Sequence, residues 1–213
     1  MRRPIFCILL LAGAMLVNPQ AGKAQTSAPS QHASSAHSID VALTYSPEYA
    51  RVAYHNCACF WLQGVSGDAS LDLYHGLGVA ASLSDGTASN IQPNVNLSKL
   101  TFAAGPRYTW DMAQWKKSRA DGYAAQVFVQ SLFGVAHGYN SVFPAPGSAT
   151  SSANSVSIQI GGGLDLALGR RVGLRLAEVE WVRTALPNAA ANVQQDLRLG
   201  FGVWFRLPSW QKK

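Results

Sequence analysis

Charged residues and long apolar runs are both scarce in this sequence. Charged residues make up 13% of the 213 residues, against about 25% in ordinary soluble domains. Beyond residue 24, no segment is long and apolar enough for a membrane-spanning helix, which needs about 20 such residues. A closed β-barrel is the other fold that pairs every backbone group inside a bilayer, so the two absences together favour β-structure.

Signatures of enzymes, metal sites and nucleic-acid binding are also missing. The sequence has no nucleophile elbow, phosphate-binding loop or dinucleotide fingerprint, and its five histidines show no metal-ligand spacing. The net charge of +6 falls to +3 without the three cations of residues 1–24, and the remainder holds no concentrated basic face. We therefore predict no catalytic residues, no cofactor, no metal and no nucleic-acid partner.

The N-terminal segment has the pattern of a secretory signal peptide. Arg2 and Arg3 precede an apolar run over residues 5–17, and small residues lead up to Ala24. This order of a charged end, a short apolar stretch and a small-residue cleavage site predicts export and removal of residues 1–24. The alternative is an uncleaved N-terminal anchor.

The rest of the chain is long enough for one domain. Residues 25–38 are small and polar and cannot bury apolar surface, so we expect a flexible periplasmic lead-in there. A strand pattern begins at Ile39 and ends at Leu207. We predict that residues 39–207 form a single barrel and that residues 208–213 form a periplasmic tail.

Strict alternation of apolar and polar residues marks three strands, over residues 99–111, 155–168 and 196–207. Successive side chains of a strand point to opposite faces, so each of these segments presents one apolar face and one polar face. Weaker alternation predicts five more strands, over residues 40–46, 69–74, 77–84, 121–138 and 172–184. The fold class predicted is all-β, an eight-stranded antiparallel up-and-down transmembrane β-barrel.

The connections between the predicted strands alternate between short and long, as in barrels with short periplasmic turns and longer external loops. The short connections are residues 75–76, 112–120 and 169–171. The long connections are residues 47–60, 85–98, 139–154 and, more briefly, 186–192. Both ends of the barrel sequence are then expected on the periplasmic side.

The seventh predicted strand, over residues 172–184, does not keep its phase. Its apolar face would continue into Glu178 and Glu180, and a carboxylate that faces hydrocarbon is costly. We predict a β-bulge near Ala177 that turns both glutamates inward and the residue after each of them outward. The alternative is that the two glutamates lie above the membrane.

A narrow barrel would bring its inward charges together. Charges of both signs occupy the inward positions in similar number, and eight strands enclose a space barely wider than the side chains that fill it. Opposite charges would therefore pair across the lumen and plug it. The predicted lumen salt-bridge core consists of Arg107, Asp165, Arg175, Glu178, Glu180 and Arg198, with Arg107, Glu180 and Arg198 at its centre. A water-filled or substrate-gating channel is the alternative.

Two cysteines, Cys57 and Cys59, lie in the first long connection and are the only ones beyond the N-terminal segment. Export would place them in an oxidising compartment, where a strained and easily reduced loop disulfide can form. Two inert thiols are an alternative. A metal role with the nearby His55 would lack a fourth ligand.

The final strand resembles the C-terminal assembly signal of bacterial outer-membrane barrels, with Arg198, Gly200, Val203 and Phe205 at the matching positions. Together with residues 102–108, 130–137 and 161–165, it is similar to the strands of small OmpA-like, opacity-type barrel proteins. The resemblance implies a location in the bacterial outer membrane, contact with outer-membrane lipid and insertion by the outer-membrane assembly machinery. It departs from the family pattern at residues 208–213, which follow the last strand where a terminal aromatic residue is usual.

These features predict a non-catalytic outer-membrane barrel with a structural or surface-interaction role and a largely plugged lumen. What the external loops bind is not encoded in any motif. A narrow porin-like channel, or a ligand-binding or transport barrel, is the alternative. A soluble periplasmic barrel of lipocalin type would need an outer face rich in lysine and glutamate, whereas the polar positions hold mainly glycine, alanine, serine and glutamine.

Overall fold

The computed structural model describes residues 38–51, 59–92, 95–112, 124–145, 147–188 and 192–207. The strands in these ranges are β1 (Ile39–Tyr45), β2 (Glu48–Arg51), β3 (Cys59–Tyr74), β4 (Leu77–Gln92), β5 (Val95–Asp111), β6 (Ala124–Tyr139), β7 (Phe143–Ala145), β8 (Ser148–Thr150), β9 (Ala153–Ala167), β10 (Val172–Thr184) and β11 (Gln194–Leu207). The predicted signal peptide, all but the last residue of the predicted lead-in, and the predicted tail lie outside the described residues. Within the described ranges, no helix has the length and apolar character needed to cross a membrane.

The strands close into a ring. β1 and β2 follow each other along one barrel strand, and both pair with β11 on one side and with β3 on the other. The ring continues from β3 through β4, β5, β6, β9 and β10 to β11, with every pairing antiparallel. The predicted eight-stranded antiparallel up-and-down barrel is therefore confirmed, and β7 and β8 form a separate hairpin.

The break between β1 and β2 lies at Ser46 and Pro47. Proline has no N–H to donate to a ladder, so it interrupts a strand that would otherwise be continuous. Hydrogen bonds still bridge the break, because Ser46 N donates to Gly64 O at 2.8 Å and Leu199 N donates to Pro47 O at 2.9 Å. The barrel wall stays closed at this point.

The two ends of the barrel differ. At the turn end, Ile39 pairs with Leu207, and a two-residue turn at His75 and Gly76 joins β3 to β4. Both turn residues have positive φ, 47° and 84°, which suits the right-handed twist of a hairpin. The connection of residues 168–171 lies at the same end. We call the opposite end, where the longer connections lie, the loop end.

Strands extend further towards the loop end than the alternation predicts. β3 begins at Cys59 rather than residue 69, while β4 runs to Gln92 and β5 starts at Val95. The predicted loops 47–60, 85–98 and 139–154 also contain β2 and the β7–β8 hairpin, so these loop boundaries were wrong. Outward positions such as Gln63 and Thr87 are polar here, so the alternation that marks a strand fades.

The polarity of the barrel is the reverse of that of a soluble domain. Large apolar side chains point outward and are exposed on every barrel strand, for example Leu43 (61%), Val65 (56%), Leu83 (52%) and Phe133 (58%). Many buried inward positions hold hydroxyl, amide and charged groups, beside apolar side chains such as Leu132 and Val182. The polar and charged residues at these positions are Thr44, Ser46, Glu48, Ser66, Asp68, Ser82, Ser84, Lys99, Thr101, Arg107, Gln130, Ser157, Gln159, Asp165, Arg175, Glu178, Glu180, Thr184, Asp196 and Arg198.

The predicted bulge in β10 is confirmed. The register of β10 shifts after Arg175 against both β9 and β11, so Leu176 and Ala177 are both exposed. Beyond the shift, Glu178 and Glu180 are buried in the lumen and the residue after each of them is exposed. One extra residue therefore converts two costly outward carboxylates into inward ones.

Candidate functional site

Glycines on neighbouring strands make room in the lumen for the two glutamates of β10. Glu178 pairs with Gly163 and Gly200, and Glu180 pairs with Gly161. A Cβ atom at Gly200 would lie 3.0 Å from Glu178 Oε2, and one at Gly161 would lie 2.8 Å from Glu180 Cγ. The glycines of β9 and β11 thus allow long charged side chains to fill the barrel.

Arg175 is the hub of one group of ion pairs. Its Nη1 donates to Asp68 Oδ2 at 2.8 Å and to Glu178 Oε2 at 3.1 Å. Its Nε and Nη2 donate to the two oxygens of Asp165 at 3.0 and 3.3 Å, which is a bidentate contact. Arg107 Nη2 lies 3.5 Å from Asp165 Oδ2. We call these five buried residues the Arg175 cluster.

An aromatic ring lies against both arginines of this cluster. The guanidinium carbon of Arg107 is 3.7 Å from the centre of the Phe128 ring, and that of Arg175 is 4.6 Å from it. Phe128 is only 1% exposed. A cation over a ring face is attracted by its quadrupole, so Phe128 holds two like charges in one small space.

Arg198 is the hub of a second group nearer the loop end. Its Nε and Nη2 donate to Glu48 Oε2 at 3.2 and 3.0 Å, and its Nη1 donates to Glu180 Oε2 at 3.2 Å. Lys99 Nζ also contacts Glu48 and donates to Asp196 Oδ2 at 2.8 Å. We call these five residues the Arg198 cluster.

Gln130 joins the two clusters. Its Nε2 donates to Glu178 Oε1 at 3.3 Å and to Glu180 Oε1 at 2.9 Å. Its Oε1 accepts from Arg107 Nη1 at 3.5 Å. The result is one polar network that runs across the lumen from Arg107 to Lys99.

The structure places all six residues of the predicted salt-bridge core in this network. Arg175 contacts three carboxylates, whereas Arg107, assigned to the centre from sequence, lies at one end with a single ion pair. Four charged members were missed by sequence reasoning: Glu48, Asp68, Lys99 and Asp196. Glu48 and Asp68 fall outside the predicted strands. Lys99 and Asp196 lie at inward positions of predicted strands, and this alternation could have identified them.

Apolar side chains cover the loop end of the network. Ala50, Leu62 and Ala88 form a buried cluster, against which Phe60, Ile91 and Leu97 pack. On the other side of the mouth, a Cβ atom at Gly138 would lie 2.5 Å from Phe143 Cζ and 3.3 Å from Leu186 Cδ1. We call these eight apolar side chains, Ala50, Phe60, Leu62, Ala88, Ile91, Leu97, Phe143 and Leu186, the apolar cap.

A different set of side chains lies at the turn end of the lumen. Trp204 is 2% exposed, and the guanidinium carbon of Arg206 lies 5.3 Å from the centre of its ring. Arg206 also makes a bidentate contact with Asp40, at 2.8 and 2.7 Å. Gln126 Nε2 donates to Asp111 Oδ1 at 2.6 Å. An aromatic ring and polar pairs therefore fill this end.

A small cavity lies in the lumen beside the Arg198 cluster. This cavity, of about 10 Å³, borders Glu48, Lys99 and Arg198, together with the hydroxyl-bearing Ser46 and Ser84. A volume of this size holds about one water molecule. The described part of the chain contains no group of three histidine, cysteine, aspartate or glutamate side chains placed to hold a metal ion.

The remaining predicted site residues lie in the wall. On β11, Arg198 and Gly200 point inward while Phe205 is exposed on the outside, and the strand pairs with β1 to close the ring. Val203, also assigned to the assembly signal, is half-buried. Cys59 is exposed at the start of β3. Cys57 lies outside the described residues, so the disulfide between these cysteines stays a prediction.

No protein-family model matches this sequence, and no curated protein matches it. Among solved structures, the outer membrane protein Ail of Yersinia pestis, solved with the heparin analogue sucrose octasulfate, is 14% identical with a TM-score of 0.51. The match covers 80% of this chain and 99% of Ail. Neisserial surface protein A is 12% identical with a TM-score of 0.52, over 81% of this chain and 98% of the other. The chain therefore has the fold of small outer-membrane β-barrels.

Proposed function

We propose that this protein is an integral barrel of the bacterial outer membrane, with a structural or surface-interaction role, no catalysis and a lumen closed by ion pairs. The observation that carries the proposal is the reversed polarity of the barrel. Exposed apolar side chains cover the outside, and paired charges fill the inside. In water such a surface would aggregate, whereas in a bilayer it is solvated by lipid.

The strand lengths suit a bilayer. A membrane-crossing strand needs about 9–11 residues, and the longer strands of the barrel have between 13 and 17 residues. The extra residues at the loop end would project beyond the membrane. The fold shared with Ail and with neisserial surface protein A supports this placement.

A soluble ligand-binding barrel is disfavoured by the same polarity. Such a barrel would place its apolar face inward around a ligand, and its outer face would be rich in charge. Here the inward face holds two ion-pair clusters, and the outward face holds residues such as Phe102 and Phe201, each 52% exposed. The lumen offers a cavity for about one water molecule beside the Arg198 cluster, which is too small for an organic ligand.

The closed lumen is proposed from three layers of contacts. The apolar cap covers the loop end, the joined Arg175 and Arg198 clusters cross the middle, and Trp204 with Arg206 fills the turn end. Moving a buried ion out of such a network is unfavourable because its partner is left uncompensated. A conducting path would require several of these ion pairs to open together.

We propose that the loop end contacts a partner through uncharged polar groups. The loop-end segments 86–98, 139–154 and 185–195 contain no charged residue and are rich in serine, asparagine and alanine, whereas the loop-end segment 47–60 contains Glu48 and Arg51. A sulfated ligand such as the one bound to Ail calls for clustered cations. Three of the four loop-end segments contain no cation and the fourth contains a single arginine, so we propose a neutral polar surface as the partner.

Two measurements on the same preparation test this function. The outer-membrane fraction, extracted in detergent, is expected to give a faster-migrating band without boiling than after boiling. Reconstituted into planar bilayers, the protein is expected to give no stable conductance. Recovery in the soluble periplasm would contradict the membrane barrel, and reproducible channels would favour the narrow porin-like alternative over a closed lumen.

A matched pair of variants sharpens the conductance measurement. Arg198→Ala removes the side chain that links Glu48 to Glu180, whereas Arg183→Ala removes an exposed arginine from the outside of β10. Channels opened by Arg198→Ala alone would support ion pairs as the barrier. Channels of equal size in both variants, or in the unmodified protein, would contradict it.

A further inference from the structure

The Arg198 cluster carries an excess of negative charge. Glu48, Glu180 and Asp196 face only two cations, Lys99 and Arg198, and all five side chains are at most 5% exposed. A buried charge without a counter-charge is costly, because the interior solvates it poorly. The cluster therefore lacks one positive charge.

Three unpartnered oxygen atoms lie beside this cluster. Asp196 Oδ1, Gln159 Oε1 and Ser157 Oγ have no hydrogen-bond partner, and their residues are 3%, 0% and 1% exposed. The other end of each longer side chain is engaged: Asp196 Oδ2 accepts from Lys99, and Gln159 Nε2 donates to Thr101 Oγ1 at 3.3 Å. The free oxygens are thus held in place without a protein donor.

Strand register places these oxygens at adjacent levels of the lumen. Val182 of β10 pairs with Asp196 of β11 on one side and with Gln159 of β9 on the other. Ser157 is one inward position further along β9, opposite Thr184. Gln159 and Arg198 also donate to the same hydroxyl, that of Thr101. All three residues are therefore buried inward positions in the half of the lumen that holds the Arg198 cluster.

The other unpartnered atoms are hydrogen-bond donors and not acceptors. Among the described residues, the remaining buried side-chain atoms without a partner are Arg107 Nε and Trp204 Nε1, which are N–H donors. Trp204 pairs with Ala42 and Gly173, towards the turn end of the barrel. The Arg175 cluster has the same formal excess of one carboxylate, but the unpartnered acceptors are concentrated in the half of the lumen that holds the Arg198 cluster.

We propose that a monovalent metal cation, Na⁺ or K⁺, binds in the lumen to Asp196 Oδ1, Gln159 Oε1 and Ser157 Oγ. Carboxylate, amide and hydroxyl oxygens are the ligands that hard cations prefer, and water completes their coordination. Water alone would satisfy the three acceptors but would leave the cluster with its excess negative charge. One monovalent cation balances that charge, whereas a divalent cation would reverse it.

The site is independent of the proposed surface role and acts on the stability of the barrel. A ligand that binds only the folded state raises stability in proportion to the logarithm of its concentration above its Kd. The barrel is therefore expected to unfold at a higher temperature in NaCl or KCl than in choline chloride of equal concentration. Equal concentration keeps the ionic strength constant, so general screening of charges does not contribute.

The experiment uses the full mature barrel, refolded in detergent, with the loss of the fast-migrating band on heating as the readout. The expected result is an unfolding temperature several degrees higher in one metal salt, with saturation as the concentration rises. CaCl₂ at matched ionic strength is expected to give a smaller rise. Equal unfolding temperatures in sodium, potassium and choline chloride would overturn the proposal.

Two variants identify the ligands. Ser157→Ala removes one oxygen and is expected to raise the half-saturating salt concentration about ten-fold, with the barrel still folded. Asp196→Asn removes the excess charge and is expected to abolish the difference between the salts. Ser82→Ala, at a buried inward serine of β4, is the matched control and should keep the full salt response. If Ser157→Ala and Ser82→Ala respond alike, the oxygens bind water and the cation site is wrong.

Discussion

The Arg175 cluster and the Arg198 cluster contain the same balance of charges but are packed differently. Each holds three carboxylates and two cations. In the Arg175 cluster both cations lie against the ring of Phe128. Among the described residues, no aromatic ring lies against the cations of the Arg198 cluster, which borders a water-sized cavity and has three unpartnered oxygens in it or beside it. Charge composition alone does not decide how closely a lumen is filled.

The difference follows from what the neighbouring strands supply. Next to Arg175, the β-bulge directs Glu178 inward, and Gly163 leaves the space that Phe128 fills, since a Cβ there would lie 2.7 Å from the ring. Next to Arg198, the neighbours are short polar side chains such as Ser84 and Thr101. An aromatic ring excludes water from one cluster, whereas hydroxyl groups leave room for bound water or an ion in the other.

Replacing Arg175 is expected to have the largest effect. Arg175→Met leaves Asp68, Asp165 and Glu178 without the cation that they share, and breaking a buried ion pair lowers the free energy of unfolding by about 3–5 kcal/mol. Arg198→Met is expected to cost about 3 kcal/mol, at the low end of that range, because Lys99 still contacts Glu48. Urea titration in lipid vesicles measures both changes.

The control for these variants is Arg183→Met, which changes an exposed arginine on the same strand as Arg175. An exposed substitution of this kind is expected to change the free energy of unfolding by less than about 0.5 kcal/mol. A larger loss from Arg198→Met than from Arg175→Met would reverse the ranking of the two clusters.

Replacing Phe128 is expected to lower the free energy of unfolding by an intermediate amount, because it removes contacts of the Arg175 cluster only. Phe128→Leu removes the ring face from Arg107 and Arg175 and leaves a small void, for a loss of about 2 kcal/mol. Phe133→Leu, at an exposed outward position of the same strand, is the matched control. Equal losses in the two variants would mean that the ring contributes by its apolar bulk and not by its contact with the arginines.

The smallest expected effect is the coupling between the clusters through Gln130. With Gln130 present, the loss in free energy of unfolding from Arg175→Met and Arg198→Met together is expected to differ from the sum of the two single losses by about 0.5–1 kcal/mol. In a Gln130→Met background, which removes the donor to Glu178 and Glu180, the two changes should become additive. Coupling that persists in this background would show that the clusters communicate by another route.

Much of the barrel is readable from the sequence because its outside and inside have opposite polarity. The boundaries of β10 match the predicted segment 172–184, and its bulge is signalled by two glutamates that break the apolar phase. The beginning of β3 is not readable, because its first residues alternate too weakly to mark a strand. Strand ends beyond the apolar band are therefore underpredicted.

The candidate site was predictable in part for the same reason. The alternation of side chains assigns Arg107, Asp165, Arg175 and Arg198 to the inside. Each lies on a strand with clear alternation, or on β10, where the bulge brings the alternation back into phase. It does not reach Glu48, which follows the break at Pro47 on a short strand. Which carboxylate meets which cation depends on distances across the lumen, and these are set by strand register and not by local sequence.

The sequence by itself determined the inverted polarity, the number of strands and the position of the bulge, because these follow from the alternation of side chains along each strand. Only the tertiary structure decided that Arg175 shares three carboxylates, that Phe128 lies against two arginines, and that Asp196, Gln159 and Ser157 keep free oxygens. These contacts join residues as far apart as Asp68 and Arg175. Closure of the ring brings such residues together, and these contacts cannot be predicted from any local sequence pattern.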